Sequence, residues 1–230
     1  MSFDIRDVRP SHYVIAAICG NWLQESGVNP GIWETLIVCP WDYMHTNSPK
    51  AGGFGLGQWT NTSHPTGNSM RCLNLHNYVV ANGYQDGQAD GQLMFLGVED
   101  VWNMTSPRLG ITNLKAFLES PSTDIEALTY DFLLCWEGIN DGTFPVRLTA
   151  AQRFATYIQE HSNDDPSLYR ECITGNRYLS DSETLHNLMY IYFALNGYLG
   201  SPDLTTEQLI VLLAASRRKF NNYGKSWIQS

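Results

Sequence analysis

Apolar residues recur at helical spacing along most of this chain. Ile15, Ile18, Cys19, Trp22 and Leu23 form one stripe, entered through Pro10-Ser11, where Ser11 suits an N-cap, and stopped by Gly27 and Pro30. Glu25 follows Ile18 by seven residues and so points within about 20° of it, at the edge of the stripe and the end of the helix. Ser69 is placed to cap a second helix that stops at Asn82-Gly83. A third is expected over about 88–102 and a short one over about 112–118. Thr123 with Glu126 makes a capping-box pattern before Ile125, Leu128, Phe132 and Trp136, which predicts a helix through Glu137. Another follows from Pro145 to near His161. Ser180 with Glu183 repeats the capping pattern ahead of Leu185, Leu188, Met189, Tyr192 and Leu195. A last helix runs from Leu204 to near Phe220, and its apolar spacing matches that of the opening helix with Asn221 in the place of Glu25.

Between the first two helices, residues 34–68 are rich in Gly, Pro, Asn and Thr. Within them TLIVC, Thr35 to Cys39, reads as a short strand, and the remainder as loop or hairpin around GGFGLGQW. The expected architecture is mainly α: a helical domain over 1–162 with at most a small β element near 34–68. Asn163-Asp164-Asp165-Pro166 looks like a linker into a helical extension over 163–230.

Composition narrows the function more than the fold. Hydrophobic residues make up 43% and charged residues 16%, as suits a folded globular chain. A net charge of −9 speaks against a nucleic-acid partner, which requires a basic face, and Arg217, Arg218 and Lys219 read as a solvated helix end. The opening MSFDIRDVRP has no apolar stretch, and no apolar run approaches the ~20 residues of a span, so neither a signal peptide nor membrane insertion is expected. The five cysteines make no CxxC pair, so no zinc or redox motif is indicated and no metal or cofactor is expected. Cys19 and Cys135 fall on apolar stripes and read as core thiols. The seven Trp, twelve Tyr and nine Phe can pack a core or stack on sugar rings.

Two segments carry candidate chemistry: NWLQESGVNPGIW, Asn21 to Trp33, and GGFGLGQWTN, Gly52 to Asn61. In order and separation they resemble the phage tail lysozyme family, and they share Glu-Ser-x-x-Asn-Pro and Gly-x-Gly-Leu-x-Gln signals with lytic transglycosylases. The resemblance covers about residues 8–162, with support from GQLMFLGVED and CWEGINDGTFPVRLTAAQRFATY. Where the family tends to show an aromatic-Glu-Arg-Pro stretch, this chain has Trp136-Glu137-Gly138-Ile139. The resemblance implies a lysozyme-like fold and a glycosidase that cuts the glycan strands of bacterial peptidoglycan. It also implies a place in a phage virion tail or as a released endolysin, beside tail proteins or further modules of a longer chain.

The residues suit that chemistry. Glycoside cleavage needs a carboxylic acid that holds its proton near neutral pH, and partial desolvation favours the protonated form of a carboxyl. A lone Glu on a helix is ordinarily a solvated surface residue; the second motif singles out Glu25 as the candidate general acid. Thr60 is a second catalytic candidate, able to hold a water. Candidate substrate contacts are Ser26, Gly55, Gln58, Trp59, Tyr130 and Glu137. The glycines would let the backbone approach a polymer, Gln58 could reach an N-acetyl group, and Trp59 either stacks on a sugar or plugs the core. Glu34, Asp42 and Glu137 are the candidate second carboxylates. Tyr130 and Glu137, seven residues apart, share a helix line as a groove pair or a buried structural pair. Competing functions are a lytic transglycosylase giving 1,6-anhydro products and a non-catalytic peptidoglycan-binding tail module. A cysteine amidase using Cys39 or Cys72 with His45 or His76 lacks a nucleophile motif.

Overall fold

Ser11 caps the first helix as its position predicts: its Oγ accepts from Val14 N–H at 3.3 Å, and α1 runs His12–Ser26 until Gly27 turns left-handed. The computed structural model describes residues 2–38, 52–64, 67–99 and 101–198. Beyond α1 the architecture is mainly helical, as expected: α2 Arg71–Ala81, α3 Ala89–Val98, α4 Leu114–Leu118, α5 Ile125–Phe132, α6 Phe144–His161 and α7 Asp181–Phe193. One hairpin accompanies them, β1 Asn61–His64 antiparallel to β2 Gly67–Met70, with Asn61 opposite Met70. The expected last helix and its likeness to the first lie outside the described residues.

Several element ends differ from the sequence reading for physical reasons. Ser69 is in β2 and does not cap α2; Asn61 Oδ1 accepts from Cys72 and Leu73 N–H instead, at 3.1 and 3.2 Å, tying the hairpin to the helix. The expected strand at TLIVC is corrected: Glu34–Leu36 form a 3-10 turn with Thr35 at φ 55°, while Ile37 and Val38 are exposed and Cys39 lies outside the described residues. Asp124, not Thr123, caps α5, accepting from Ala127 N–H at 3.0 Å. After Phe132 the helix widens into a π turn, Leu133–Glu137, closed by Gly138 at φ 72°. The box at the start of α7 is complete, with Ser180 and Glu183 bonded reciprocally.

α1 lies at the centre of the fold, packed against α5, α6 and α7. Trp22 meets Phe132, Trp136 and Trp59 at ring separations of 6.5, 6.2 and 6.4 Å, all four rings fully buried. Residues after 163, read as an extension, bring Leu188, Met189 and Ile191 of α7 into this same core. All described residues fall in one unit, Met1–Leu199. No described helix is long and apolar enough to cross a membrane.

Candidate active site

Glu25 sits in the last turn of α1 with its side chain 18% exposed, and directly behind it stands Arg147, 2% exposed. Arg147 Nη2 lies 2.5 Å from Glu25 Oε1, Nη1 donates to Asn21 O at 3.0 Å, and Nε donates to Thr143 Oγ1 at 2.8 Å. A buried guanidinium must be paired, and its planar fork holds Glu25 against two fixed anchors. The sequence reading missed Arg147. The signal was available: the buried face of α6 is Arg147, Ala150, Ala151, Phe154, Ala155 and Ile158, so one charge stands in an otherwise apolar period.

The glycine loop comes next, fastened to α1 by Ser26. Ser26 Oγ is 2.7 Å from Leu56 O and 3.0 Å from Trp22 O and the residue is 3% exposed, so its single proton is spent inside the protein rather than on a ligand. Two glycines are required by the protein's own packing, whatever the loop faces outside. A Cβ at Gly55, which has φ 76°, would meet the Gln92 amide at 2.5 Å; one at Gly57 would stand 2.4 Å from Trp136 Cη2. Gln92 is itself fully buried, accepting from Leu56 N–H at 2.8 Å and donating to Pro30 O and Asp86 O at 2.7 and 2.6 Å. It lies in GQLMFLGVED, a segment that supports the resemblance without singling out this residue.

Trp59 is a core residue, not a sugar platform. It is fully buried, its Nε1–H donates to Glu99 Oε2 at 2.8 Å, and Arg71 grips the same carboxylate at 2.6 and 3.0 Å. Gln58, half-buried at φ 45°, turns its amide inward to Gly55 O and Ile32 O at 3.0 and 3.3 Å. Thr60, also half-buried, donates its hydroxyl proton to Gln58 O at 2.8 Å. Glu34 is exposed, with Oε2 accepting from Gly53 N–H at 3.0 Å, and Asp42 lies outside the described residues.

Tyr130 and Glu137 do not make a pair. The π turn between them shifts the helical register. Tyr130 carries the Arg108 guanidinium over its face at 4.1 Å and Phe144 at 5.1 Å. Part of Glu137 meets solvent, but its Oε1 is sealed off with no partner among the described residues, as are the indole N–H groups of Trp22 and Trp136. Burial pushes the Glu137 carboxyl well above the ordinary range, the charge of Glu25 adds to this, and Arg147 and Arg71 pull the other way. Of the amidase candidates, Cys39 and His45 lie outside the described residues, Cys72 is buried, and His76 stands 2.7 Å from Asp86. Among the described residues no His, Cys, Asp and Glu cluster is arranged to hold a metal.

A phage tail lysozyme family model matches residues 9–158, a span that holds every element of this site. The chain belongs to the phage tail lysozyme family. It is thereby a lysozyme-like peptidoglycan hydrolase of phage type. No curated protein matches its sequence.

The connection after Glu25 is also fixed from beyond the matched span. Asn187 Nδ2 donates to Val28 O at 2.8 Å, and Asn29 Nδ2 donates to Gly175 O and Arg177 O, both at 2.7 Å. The Asn176 amide brackets the 3-10 turn, accepting from Trp33 N–H and donating to Leu36 O, each at 3.0 Å. On its other side this connection pairs with the glycine loop through Glu34 N–H to Gly53 O at 2.8 Å and Gly55 N–H to Ile32 O at 3.0 Å.

Proposed function

We propose that this protein cleaves the glycan strands of peptidoglycan by hydrolysis, with Glu25 protonating the leaving oxygen. The observation that carries the reading is a glutamate at a helix end, partly open to solvent and held from behind by the buried Arg147. As the bond from the sugar C1 to the bridging oxygen breaks, the proton of Glu25 passes to that oxygen, and a water adds to C1, shedding the proton that restores Glu25 so that none is consumed. Thr60 is suited to hold that water: its own proton is committed to Gln58 O, which leaves its oxygen to accept. Glu34 is the carboxylate of residues 34–61 among the described residues.

Digestion of purified peptidoglycan followed by mass spectrometry tests the reading. Reducing-end muropeptides are expected, and Glu25→Gln should lower the rate by roughly 10²–10⁴-fold. Products with 1,6-anhydro ends would replace hydrolysis by transglycosylation. Binding without any release by the unaltered protein would make it a peptidoglycan-binding module, and undiminished activity in Glu25→Gln would remove Glu25 from the chemistry.

A further inference from the structure

Among the described residues four non-glycines have positive φ, and all four lie in the two segments that build the site. Val28 at 57°, Thr35 at 55° and Leu36 at 60° belong to the connection after α1, and Gln58 at 45° to the glycine loop. Thr35 and Leu36 are consecutive, and a β-branched residue rarely adopts this conformation. Such strain persists only where neighbours over-determine it, and it gathers at functional positions. Glu34 leads directly into the strained pair. Its N–H donates to Gly53 O at 2.8 Å and its Oε2 accepts from Gly53 N–H at 3.0 Å, so its backbone and carboxylate both dock on one glycine. The loop that carries Gly53 is fastened beside Glu25 in turn, through Ser26 Oγ to Leu56 O at 2.7 Å.

The side chain that spans this turn stands 140 residues beyond Leu36. Asn176 Oδ1 accepts from Trp33 N–H and its Nδ2 donates to Leu36 O, each at 3.0 Å, one bond on either side of Glu34. Only an amide offers a donor and an acceptor from so short a side chain. Its surroundings aim it. Asn29 Nδ2 holds the carbonyls of Gly175 and Arg177, which flank Asn176, both at 2.7 Å. Gly31 lies so close that a Cβ there would stand 2.2 Å from Thr174 Oγ1 and 2.7 Å from Gly175 N. Asn187 bonds both the N–H and the carbonyl of Ile173, each at 2.7 Å, and also Val28 O. We propose that Asn176, outside the matched span, is a positioning residue for Glu34: it clamps the left-handed turn at 35–36 and so keeps the Glu34 carboxylate on the glycine loop. Without the clamp, Thr35 and Leu36 relax toward negative φ, which turns the chain after Glu34 and draws its carboxylate off Gly53 N–H. Asn176 is exposed and has little packing to contribute, so its loss should be felt in geometry more than in stability.

The test has two arms, of which only the kinetic one rests on the hydrolase reading. In the first, amide hydrogen exchange of the full chain is followed by NMR in the unaltered protein and in Asn176→Ala. The Glu34 and Gly53 amides should exchange roughly 10-fold faster in the variant, with the melting temperature and the amides of α1 little changed, as in a local opening. Adding Leu36→Gly, which takes the left-handed conformation without strain, should restore part of that protection. Faster exchange at Trp33 alone, or no recovery with the glycine, overturns the proposal whether or not the protein cuts glycan. In the second arm, Asn176→Ala should lower kcat on soluble glycan fragments by roughly 10–100-fold with KM little changed, as a misplaced group does. The same substitution in a Glu34→Gln background should cost almost nothing further, because the group it positions is already gone. Losses that multiply, or a Glu34→Gln protein as active as the unaltered one, overturn the catalytic role of the clamp while leaving hydrolysis itself standing. An unaltered protein that releases no product removes the hydrolase reading instead, and the exchange arm then decides the clamp by itself.

Discussion

Glu25, the acid of the proposed reaction, is also the partner of a buried arginine, so the substitution that tests the first role disturbs the second. Judged from its place at the rim of an apolar stripe, Glu25→Gln would cost activity and leave the fold untouched. Arg147 changes that expectation, because it is 2% exposed and its Nη2 bond goes to the Glu25 carboxylate. A glutamine keeps an acceptor there but not the charge, so Glu25→Gln should be less stable by about 1.5–3 kcal/mol, the worth of a hydrogen bond to a charged group. Urea unfolding measures it directly, and a midpoint equal to that of the unaltered chain would show that Arg147 needs no anion. The same residue illustrates what sequence could and could not show. Its helix, cap and stop were legible because Ser11, the apolar period and Gly27 act within a few residues. Its partner stands 122 residues away and was not.

At the scale of elements, the loop 52–60 was the part most misread. Ser26, Gly55 and Trp59 were assigned to substrate on their residue types, yet each is spent on the protein: Ser26 on Leu56 O, Gly55 on the room Gln92 needs, Trp59 on Glu99 and the buried rings. A glycine chosen for close approach looks the same in sequence whether a polymer or an indole approaches. Tyr130 and Glu137 were misaligned for a related reason, since a π turn leaves no mark in a 3.6-residue period. The capping chemistry fared better, with the Ser180–Glu183 box present in full and the α5 cap displaced by one residue to Asp124. A measurable consequence attaches to the loop. Trp59→Ala should cost about 3–5 kcal/mol as a large-to-small change in the core. Gly57→Ala, forced against Trp136, should cost about 1–3 kcal/mol as overpacking. Differential scanning calorimetry would show both as lowered transitions; a Trp59→Ala protein that melts like the parent but fails to bind glycan fragments would return the ring to the groove.

For the molecule as a whole, the matched family span and the folded unit are not the same length. The match ends at 158, whereas Leu188, Met189 and Ile191 lie in the same core as α1. A chain cut after Ser162 leaves open the surface that α7 covers, together with Val28 O and the other groups that Asn187 and residues 175–177 satisfy. Such a chain should show no cooperative unfolding transition by circular dichroism, and a sharp transition near that of the full chain would count against the role given to this segment. The position of that segment also sets a clock. Synthesis runs from the N-terminus, so Glu25, Arg147 and the glycine loop are all made before Asn176 and Asn187 exist to close over them. The candidate site is closed by nearly the last described stretch of chain to be made, so a nascent chain stalled before that point carries Glu25, Arg147 and the glycine loop without the groups that hold the connection between them.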